Sequence, residues 1–290
     1  GSWTSSNSFQ ATVGSASGIV TGIASGTPTI TYTLPAGCYA VQPMTVNPTP
    51  AAITGASTVC ANSTITLTDV TGGGTWSSSN TGLATVGSSS GVVTGVAAGT
   101  PTITYTLAAG CTATKQITVN AVPDITNFTS PTSLDPCLGN GVAVNVNSTT
   151  LGTASFTVTY NLGGANTSTA NTATLTMGAT TGTFNIPASL LANTGSTTVT
   201  ITAITNSLGC TSYPSSSNTA TFNVNPLPTQ YTVSGTGSYC SGGAGIHVFL
   251  SNSVGGVSYQ LYLGTVASGV AISGTGTTLD FGLITTAGTY

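Results

Sequence analysis

The sequence is almost free of charged side chains. Its 290 residues include one Lys, no Arg, no Glu, four Asp and one His, so charged residues make up 2% of the chain. Nucleic-acid binding needs several Lys or Arg side chains to displace counterions, and a disordered polyanionic tail needs a large net charge. With a formal net charge of −3, the chain fits neither class. It also lacks the Glu, Lys, Ala and Leu periodicity of a coiled coil.

Long hydrophobic runs are also missing. The mean hydropathy is +0.34, yet no stretch approaches the 18 uninterrupted apolar residues that indicate a membrane-spanning helix. The chain instead has 61 Thr, 35 Ser and 38 Gly, and its Val, Ile and Leu alternate with Thr and Ser, as in residues 100–107 and 198–205. Alternation of β-branched and polar residues is typical of half-buried strands. The composition therefore predicts an all-β protein.

A tandem repeat organises the first 120 residues. Residues 1–47 align without a gap to residues 74–120, at an offset of 73, with 32 identities in 47 positions. Self-similarity at a fixed period is the signature of a repeat protein. Residues 1–50 are therefore interpreted as the later part of a module whose N-terminal part is missing.

A recurring V-N-x-x-P phrase marks the ends of the modules. It occurs at residues 46–50, 119–123 and 224–228. Proline stops strand pairing and favours an extended, stiff connection. We predict four modules: module 1 (1–50, partial), module 2 (51–123), module 3 (124–228, larger) and module 4 (229–290, partial, with its C-terminal part missing). Short strands separated by Gly- and Ser-rich turns predict antiparallel β-sandwiches, here arranged as an extended rod.

The six cysteines follow the same organisation. We predict one disulfide in each complete module, Cys60–Cys111 and Cys137–Cys210. Cys38 is the counterpart of Cys111 in the repeat, and Cys240 opens module 4, so we expect the partners of both to lie outside the fragment. Disulfides indicate an oxidising compartment. With no C-x-x-C spacing and a single His, a metal site is the weaker interpretation.

Titratable groups are too scattered to predict catalysis. The four carboxylates are Asp69, Asp124, Asp135 and Asp280. His247 and Asp280 share module 4 with many serines, which formally permits a triad, but no G-x-S-x-G motif lies in that module, and we interpret His247 as an isolated, half-exposed strand residue. Asp124 lies at a module junction, where calcium would need more carboxylates, and we expect it to cap a turn. We predict no catalytic, cofactor-binding or metal-ligating residues.

Aromatic residues fall into two groups. Four occupy equivalent positions of the repeat and are predicted to lie in the sandwich core: Trp3, Trp76, Tyr32 and Tyr105. Four others lie near loops or junctions and are candidates for exposed contacts: Tyr39, Tyr213, Tyr231 and Tyr239.

The phrase from Trp76 to Tyr105, W-S-S-S-N-x-x-x-A-T-V-x-x-x-S-G-x-V-T-G-x-x-x-G-T-x-x-I-T-Y, resembles the group 2 bacterial immunoglobulin-like domain. That resemblance, which covers residues 1–123, implies small β-sandwiches repeated in tandem, as in surface adhesins such as intimins and invasins. Modules 3 and 4, with GSYCSGGAGIHVFLSNSVGGVSYQLY (237–262) and FGLITTAGTY (281–290), are similar to repeats of the SprB-type gliding adhesins of Bacteroidetes.

These resemblances imply a function. We expect a structural and adhesive segment of a very long cell-surface filament, exported by the type IX secretion system and carried along the cell by the gliding machinery. Its expected partners are external surfaces or polysaccharides, with no nucleic acid, no cofactor and no membrane insertion in this segment; self-association into filaments is left open. Two alternatives remain: spacer repeats of a secreted multidomain enzyme, or an array of carbohydrate-binding modules.

Overall fold

The computed structural model describes all 290 residues, which form 26 β-strands and one short 3-10 helix. The chain divides into two compact units, Gly1–Asn225 and Pro226–Tyr290. In the first unit, every strand pairs with strands of its own module. The all-β prediction is confirmed.

Module 1 has five strands: β1 (Ser2–Ser5), β2 (Ala11–Val13), β3 (Val20–Gly22), β4 (Thr29–Thr33) and β5 (Tyr39–Pro43). One sheet has the order β1-β4-β5, and β2 pairs with β3 in a second sheet. The Thr-Ile-Thr-Tyr-Thr sequence of β4 alternates as a half-buried strand does, with Ile30 buried. The sheet of β1, β4 and β5 therefore presents one apolar face.

Module 2 has eight strands: β6 (Thr58–Cys60), β7 (Thr64–Thr66), β8 (Thr75–Ser78), β9 (Ala84–Val86), β10 (Val92–Gly95), β11 (Thr102–Thr106), β12 (Thr112–Gln116) and β13 (Thr118–Asn120). They form sheets of order β7-β10-β9 and β12-β11-β8, and β6 pairs with β13 in parallel. Strands β8 to β12 repeat β1 to β5, as the sequence identity requires. Residues 51–73 contribute β6 and β7, which have no counterpart in module 1.

One hydrophobic core fills module 2. Ile117 is the single residue between β12 and β13, and its side chain is fully buried. The chain passes there from the sheet of β11 to its pairing with β6. The core comprises Ile53, Val59, Ala61, Leu67, Trp76, Ala84, Val93, Ile103, Tyr105, Leu107, Ile117 and Val119. Burial of apolar side chains of this size contributes about 1.5–3 kcal/mol each, so residues 51–73 are an integral part of this module.

Module 3 is built on a single eight-stranded sheet. Its strands are β14 (Thr132–Ser133), β15 (Val142–Asn147), β16 (Ser155–Gly164), β17 (Ser168–Met177), β18 (Thr181–Ile186), β19 (Gly195–Thr205), β20 (Thr211–Ser212) and β21 (Thr219–Val224), with the 3-10 helix at Ala188–Leu190. The order is β14-β15-β18-β17-β16-β19-β20, and β21 also pairs with β19. A bridge from Cys137 to Asn225 brings the two edges together, and the enclosed core includes Tyr160, Phe184 and Phe222.

The second compact unit holds module 4. Its strands are β22 (Val233–Ser234), β23 (Ile246–Leu250), β24 (Ser258–Leu263), β25 (Val266–Ser273) and β26 (Leu279–Ile284). One sheet has the order β22-β23-β26 and the other is the hairpin of β24 and β25. Gly264 (φ 60°) lies in the two-residue turn of that hairpin, where a positive φ matches the twist of the flanking strands.

Candidate functional site: the junction between modules 2 and 3

A disulfide joins consecutive modules. It links Cys60, in β6 of module 2, to Cys210, in the loop before β20 of module 3, with a Cα–Cα distance of 5.5 Å. The predicted pairs Cys60–Cys111 and Cys137–Cys210 are therefore wrong. Cys38, Cys111, Cys137 and Cys240 are free thiols.

Strand direction explains the error in module 2. Cys60 pairs with Asn120, the last residue of β13. Cys111 immediately precedes β12, so the extended stretch from Cys111 to Asn120 separates it from Cys60. At about 3.3 Å per residue this stretch spans roughly 30 Å, whereas a disulfide needs Cα atoms within about 7 Å.

The same geometry holds in module 3. Cys137 bridges Asn225, next to Val224, which pairs with Gly195 at one end of β19. Cys210 precedes the residue that pairs with Thr205 at the other end of β19. The length of β19, about 33 Å, lies between the two cysteines. In each complete module, therefore, the two cysteines lie at opposite ends.

Hydrogen bonds reinforce the disulfide at the junction. The Asn206 Nδ2 donates to the carbonyl oxygen of Ala121 at 3.0 Å, and the buried Ser212 Oγ donates to that of Pro123 at 2.6 Å. The Asn206 Oδ1 in turn accepts the backbone N–H of Cys210 at 3.0 Å. The loop that carries Cys210 is thus fixed against the linker, which gives the two modules a defined contact.

All four carboxylates bond to backbone N–H groups. The Asp124 Oδ1 accepts the N–H of Thr126 at 3.0 Å and its hydroxyl at 2.8 Å, and these bonds lower the pKa of Asp124. The carboxylates of Asp69, Asp135 and Asp280 likewise accept the backbone N–H groups of Thr71, Asn223 and Gly282, respectively. Asp124 caps a turn, as expected. No group of three or more His, Cys, Asp or Glu side chains lies close enough together to hold a metal ion.

His247 is not isolated, which corrects the prediction. Strands β23 and β26 pair, and they bring the His247 Nδ1 to 2.7 Å from the Asp280 Oδ2, with both side chains nearly half exposed. The hydrogen bond from His247 and that from the Gly282 N–H lower the pKa of Asp280. The spacing G-x-S-x-G does occur at residues 87–91, but there it forms the turn between β9 and β10 rather than the strand-to-helix turn that activates a serine.

The aromatic residues occupy three environments. Trp76 and Tyr105 are buried, with ring centroids 4.6 Å apart, whereas the equivalent Trp3 and Tyr32 are half-buried at 4.7 Å. Of the four contact candidates, two are exposed (Tyr39 and Tyr213, 70% and 73%) and two are half-buried (Tyr231 and Tyr239).

Two further surface features were absent from the sequence predictions. A cleft of about 540 Å³ in module 4 has Tyr239, Ile246, Ile284 and Tyr290 in its wall, which contains no Asp, Glu, His or Lys. An apolar face of module 1 is also exposed. In addition, no helix of the chain is long and apolar enough to cross a membrane.

The family comparison matches the middle of the first unit. Residues 40–119 match the family described as Bacterial Ig-like domain (group 2). Together with the repeat of residues 1–47 and the all-β fold, this match shows tandem Ig-like repeats. No curated protein matches the sequence.

Solved structures are similar only at the level of strand-rich repeats. The surface layer protein SbsC, domains 4–9, is 19% identical over 81% of this chain and 40% of its own, with a TM-score of 0.19. The eight N-terminal Ig domains of Down Syndrome Cell Adhesion Molecule are 13% identical over 81% and 34%, with a TM-score of 0.32. Titin domains A168–A170 are 13% identical over 73% and 84%, with a TM-score of 0.29. The chain thus spans less than half of the length of each of the first two structures.

The fold and the junction define the class of this chain. It is a structural segment of tandem Ig-like repeats. The disulfide fits an extracellular protein, because thiols are kept reduced in the cytosol.

Proposed function

We propose that this chain is a structural and adhesive repeat segment of a long cell-surface filament, of the mobile gliding-adhesin type. The observation that supports this most strongly is the disulfide from Cys60 to Cys210, which joins two consecutive modules covalently. A domain that only folds needs its cross-link inside one module. A cross-link between modules resists the separation of neighbours, which is what a filament under tension requires.

Tension along the chain would follow a short covalent path. Force that enters through module 1 reaches Cys60, passes through the disulfide to Cys210, and leaves towards module 4. Most strand ladders of modules 2 and 3 lie between these two residues and are spared. The pairings of β6, β20 and β21 stay on the loaded path, because these strands lie at or outside the two cysteines. The hydrogen bonds from Asn206 and Ser212 to the linker reinforce the junction beside the disulfide.

The surface suits weak, repeated contact. A chain with 2% charged residues offers little electrostatic attraction to its surroundings. Its exposed aromatic rings are spread over modules 1, 3 and 4: Phe9, Tyr39, Tyr213 and Tyr262. Single weak contacts of this kind become effective through repetition along a filament. In this proposal the external surface or polysaccharide is bound by avidity, and the type IX secretion and gliding machinery exports and moves the filament at the outer membrane.

Live-cell labelling tests this proposal. An antibody raised against residues 51–228 is applied to living cells that produce the protein, and the same serum adsorbed with the antigen is the control. The proposal predicts a surface label that moves along the cell. A static label, or antigen found only in the medium, would contradict it and favour a spacer of a secreted enzyme.

A further inference from the structure

Asn140 is the only asparagine of the chain that is followed by glycine. An asparagine side chain loses its amide when the backbone nitrogen of the next residue attacks Cγ, and a side chain on that next residue hinders the attack. Glycine has no Cβ, so it leaves the approach open. The sequence at Asn140 and Gly141 therefore favours deamidation, and the fold decides whether the reaction is allowed there.

The fold places these two residues in an exposed turn of module 3. Asn140 and Gly141 are both exposed, and Gly141 is the last residue before β15. The N–H of Asn140 donates to the carbonyl oxygen of Cys137 at 3.0 Å, which closes the turn, and Gly139 has a positive φ of 87° within it. The backbone thus forms this turn, and the Asn140 side chain is not needed to hold it.

Both reacting groups are free of hydrogen bonds within the chain. The N–H of Gly141 has no acceptor, since the pairing of β15 begins one residue later, with Val142. The Asn140 amide also has no partner, whereas the amides of Asn166 and Asn218 donate to carbonyl oxygens. No hydrogen bond therefore has to break before the Gly141 nitrogen approaches Asn140 Cγ.

The five asparagines that precede a serine are restrained and serve as internal comparisons. Three have a side-chain Oδ1 that accepts a backbone N–H: Asn7, Asn206 and Asn252. In the other two, the N–H of the following serine donates to a carbonyl oxygen, at 3.1 Å for Asn62 and 2.9 Å for Asn147. At each of these sites a local opening must precede the reaction, and its free energy slows the reaction.

Packing keeps glycine at position 141. A Cβ there would lie 2.7 Å from the carbonyl oxygen of Ile186 in β18, which is closer than a methyl group approaches without a shift of the backbone. The sheet therefore requires the same glycine that makes Asn140 reactive.

From these observations we propose that Asn140 is a site of spontaneous deamidation in the folded protein, with water as the co-reactant. The Gly141 nitrogen bonds to Asn140 Cγ, its proton passes to the departing amide nitrogen, and ammonia leaves as a succinimide ring forms. Water then opens the ring at either carbonyl, which gives aspartate or isoaspartate at position 140. One water is consumed and one ammonia is released, and no oxidant or reductant takes part. The proposal is independent of gliding and adhesion.

The product changes the charge of a chain that has few charges. It adds one carboxylate to the existing four and one negative charge to a formal net charge of −3. The new charge lies near the last residue of β21's ladder, because the N–H of Leu138 in the same turn donates to the carbonyl oxygen of Asn225. Isoaspartate also lengthens the main chain by one methylene before the first pair of β15, Val142 with Ile186. Older chains should therefore differ in the charge and length of this turn while the ladder of β15 remains.

Peptide mapping of aged protein tests the proposal. The folded, unreduced chain is kept at neutral pH for several weeks, samples are digested with pepsin, and chromatography with mass spectrometry separates the Asn, Asp and isoAsp forms of each peptide. We expect conversion at Asn140 ahead of every other asparagine. Conversion at any of the five asparagines that precede serine as fast as that at Asn140 would overturn the proposal.

Synthetic peptides measure the rates without the fold. Because the turn leaves both reacting groups free, Asn140 should convert in the chain at a rate within about tenfold of that in a peptide of residues 138–146. Asn206 is the matched comparison, and it should convert at least about tenfold more slowly in the chain than in a peptide of residues 203–209. A larger protection of Asn140 than this would show that the turn prevents the reaction.

Two variants assign the new charge to this residue. Asn140→Gln keeps an amide but requires a larger ring that forms more slowly, so aged samples of this variant should gain no acidic form on isoelectric focusing. Asn140→Asp carries the charge from the start and should run with the acidic form of the aged, unaltered chain. If Asn140→Gln becomes acidic as fast as the unaltered chain, the charge arises elsewhere and the proposal fails.

Discussion

Reduction of the Cys60–Cys210 disulfide should change how far the chain extends under force. The two cysteines are 150 positions apart, so the residues between them are hidden from a force applied at the two ends. At about 3.3–3.6 Å per extended residue, the hidden length is roughly 500 Å. An oxidised chain should therefore unfold to a contour length about 500 Å shorter than that of the reduced chain.

Single-molecule stretching between the termini measures this length. Oxidised molecules are extended first without reductant and then with it, and the expected gain of about 500 Å appears in one step, because one bond closes one loop. A chain carrying Cys60→Ser should show the full length at once, and Cys38→Ser is the matched control that should behave like the unaltered chain.

The Cys60→Ser variant gives the result that would refute this account. If the pairs were Cys60–Cys111 and Cys137–Cys210, the variant would keep the second loop closed. It would then show a further gain of about 250 Å when reductant is added. The inter-module bond predicts no further gain.

Three other perturbations test the packing and the electrostatics. Gly95→Ala places a Cβ 2.6 Å from a backbone oxygen. Urea unfolding should show that this variant destabilises module 2 by about 1–3 kcal/mol. The control is Gly22→Ala, the equivalent change in module 1, which should have little effect on stability. Tyr105→Phe removes the hydroxyl that accepts the Gly74 N–H at 2.8 Å and should lower the free energy of unfolding by about 1 kcal/mol, where an unchanged urea midpoint would contradict that role. Hydrogen bonds from His247 and from the Gly282 N–H lower the pKa of Asp280 in the folded state. These bonds therefore stabilise the fold at pH values above the pKa that Asp280 has in the unfolded chain. This stabilisation is lost as the pH falls through the lower pKa of the folded state. Carboxyl NMR titration should show the pKa of Asp280 rising in His247→Ala, and an equal pKa in both proteins would contradict a role for this hydrogen bond.

Local sequence pattern predicted the strands well. The alternation in residues 100–107 and 198–205 corresponds to β11 and β19, and the repeat of residues 1–47 placed five strands of module 1 opposite β8 to β12. These elements follow from local side-chain periodicity and from identity between copies. Strand β6 is different, because its three residues are held by a parallel partner 60 positions away.

The disulfide could not be predicted from the order of the cysteines. Each complete module has two, and counting favours pairing within a module. The pairing depends instead on which end of a strand each cysteine occupies, and that depends on β6 running parallel to β13 and on β20 pairing with the end of β19. The contact of His247 with Asp280 was missed for a related reason, since the pairing of β23 with β26 spans more than 30 positions.

A disulfide map shows whether consecutive modules are joined covalently. The unreduced protein is digested with pepsin at low pH, which suppresses thiol–disulfide exchange, and the peptides are identified by mass spectrometry before and after reduction. The disulfide between modules 2 and 3 predicts a pair of peptides that contain Cys60 and Cys210 and that separate on reduction. A map that links Cys60 to Cys111, or Cys137 to Cys210, would contradict it.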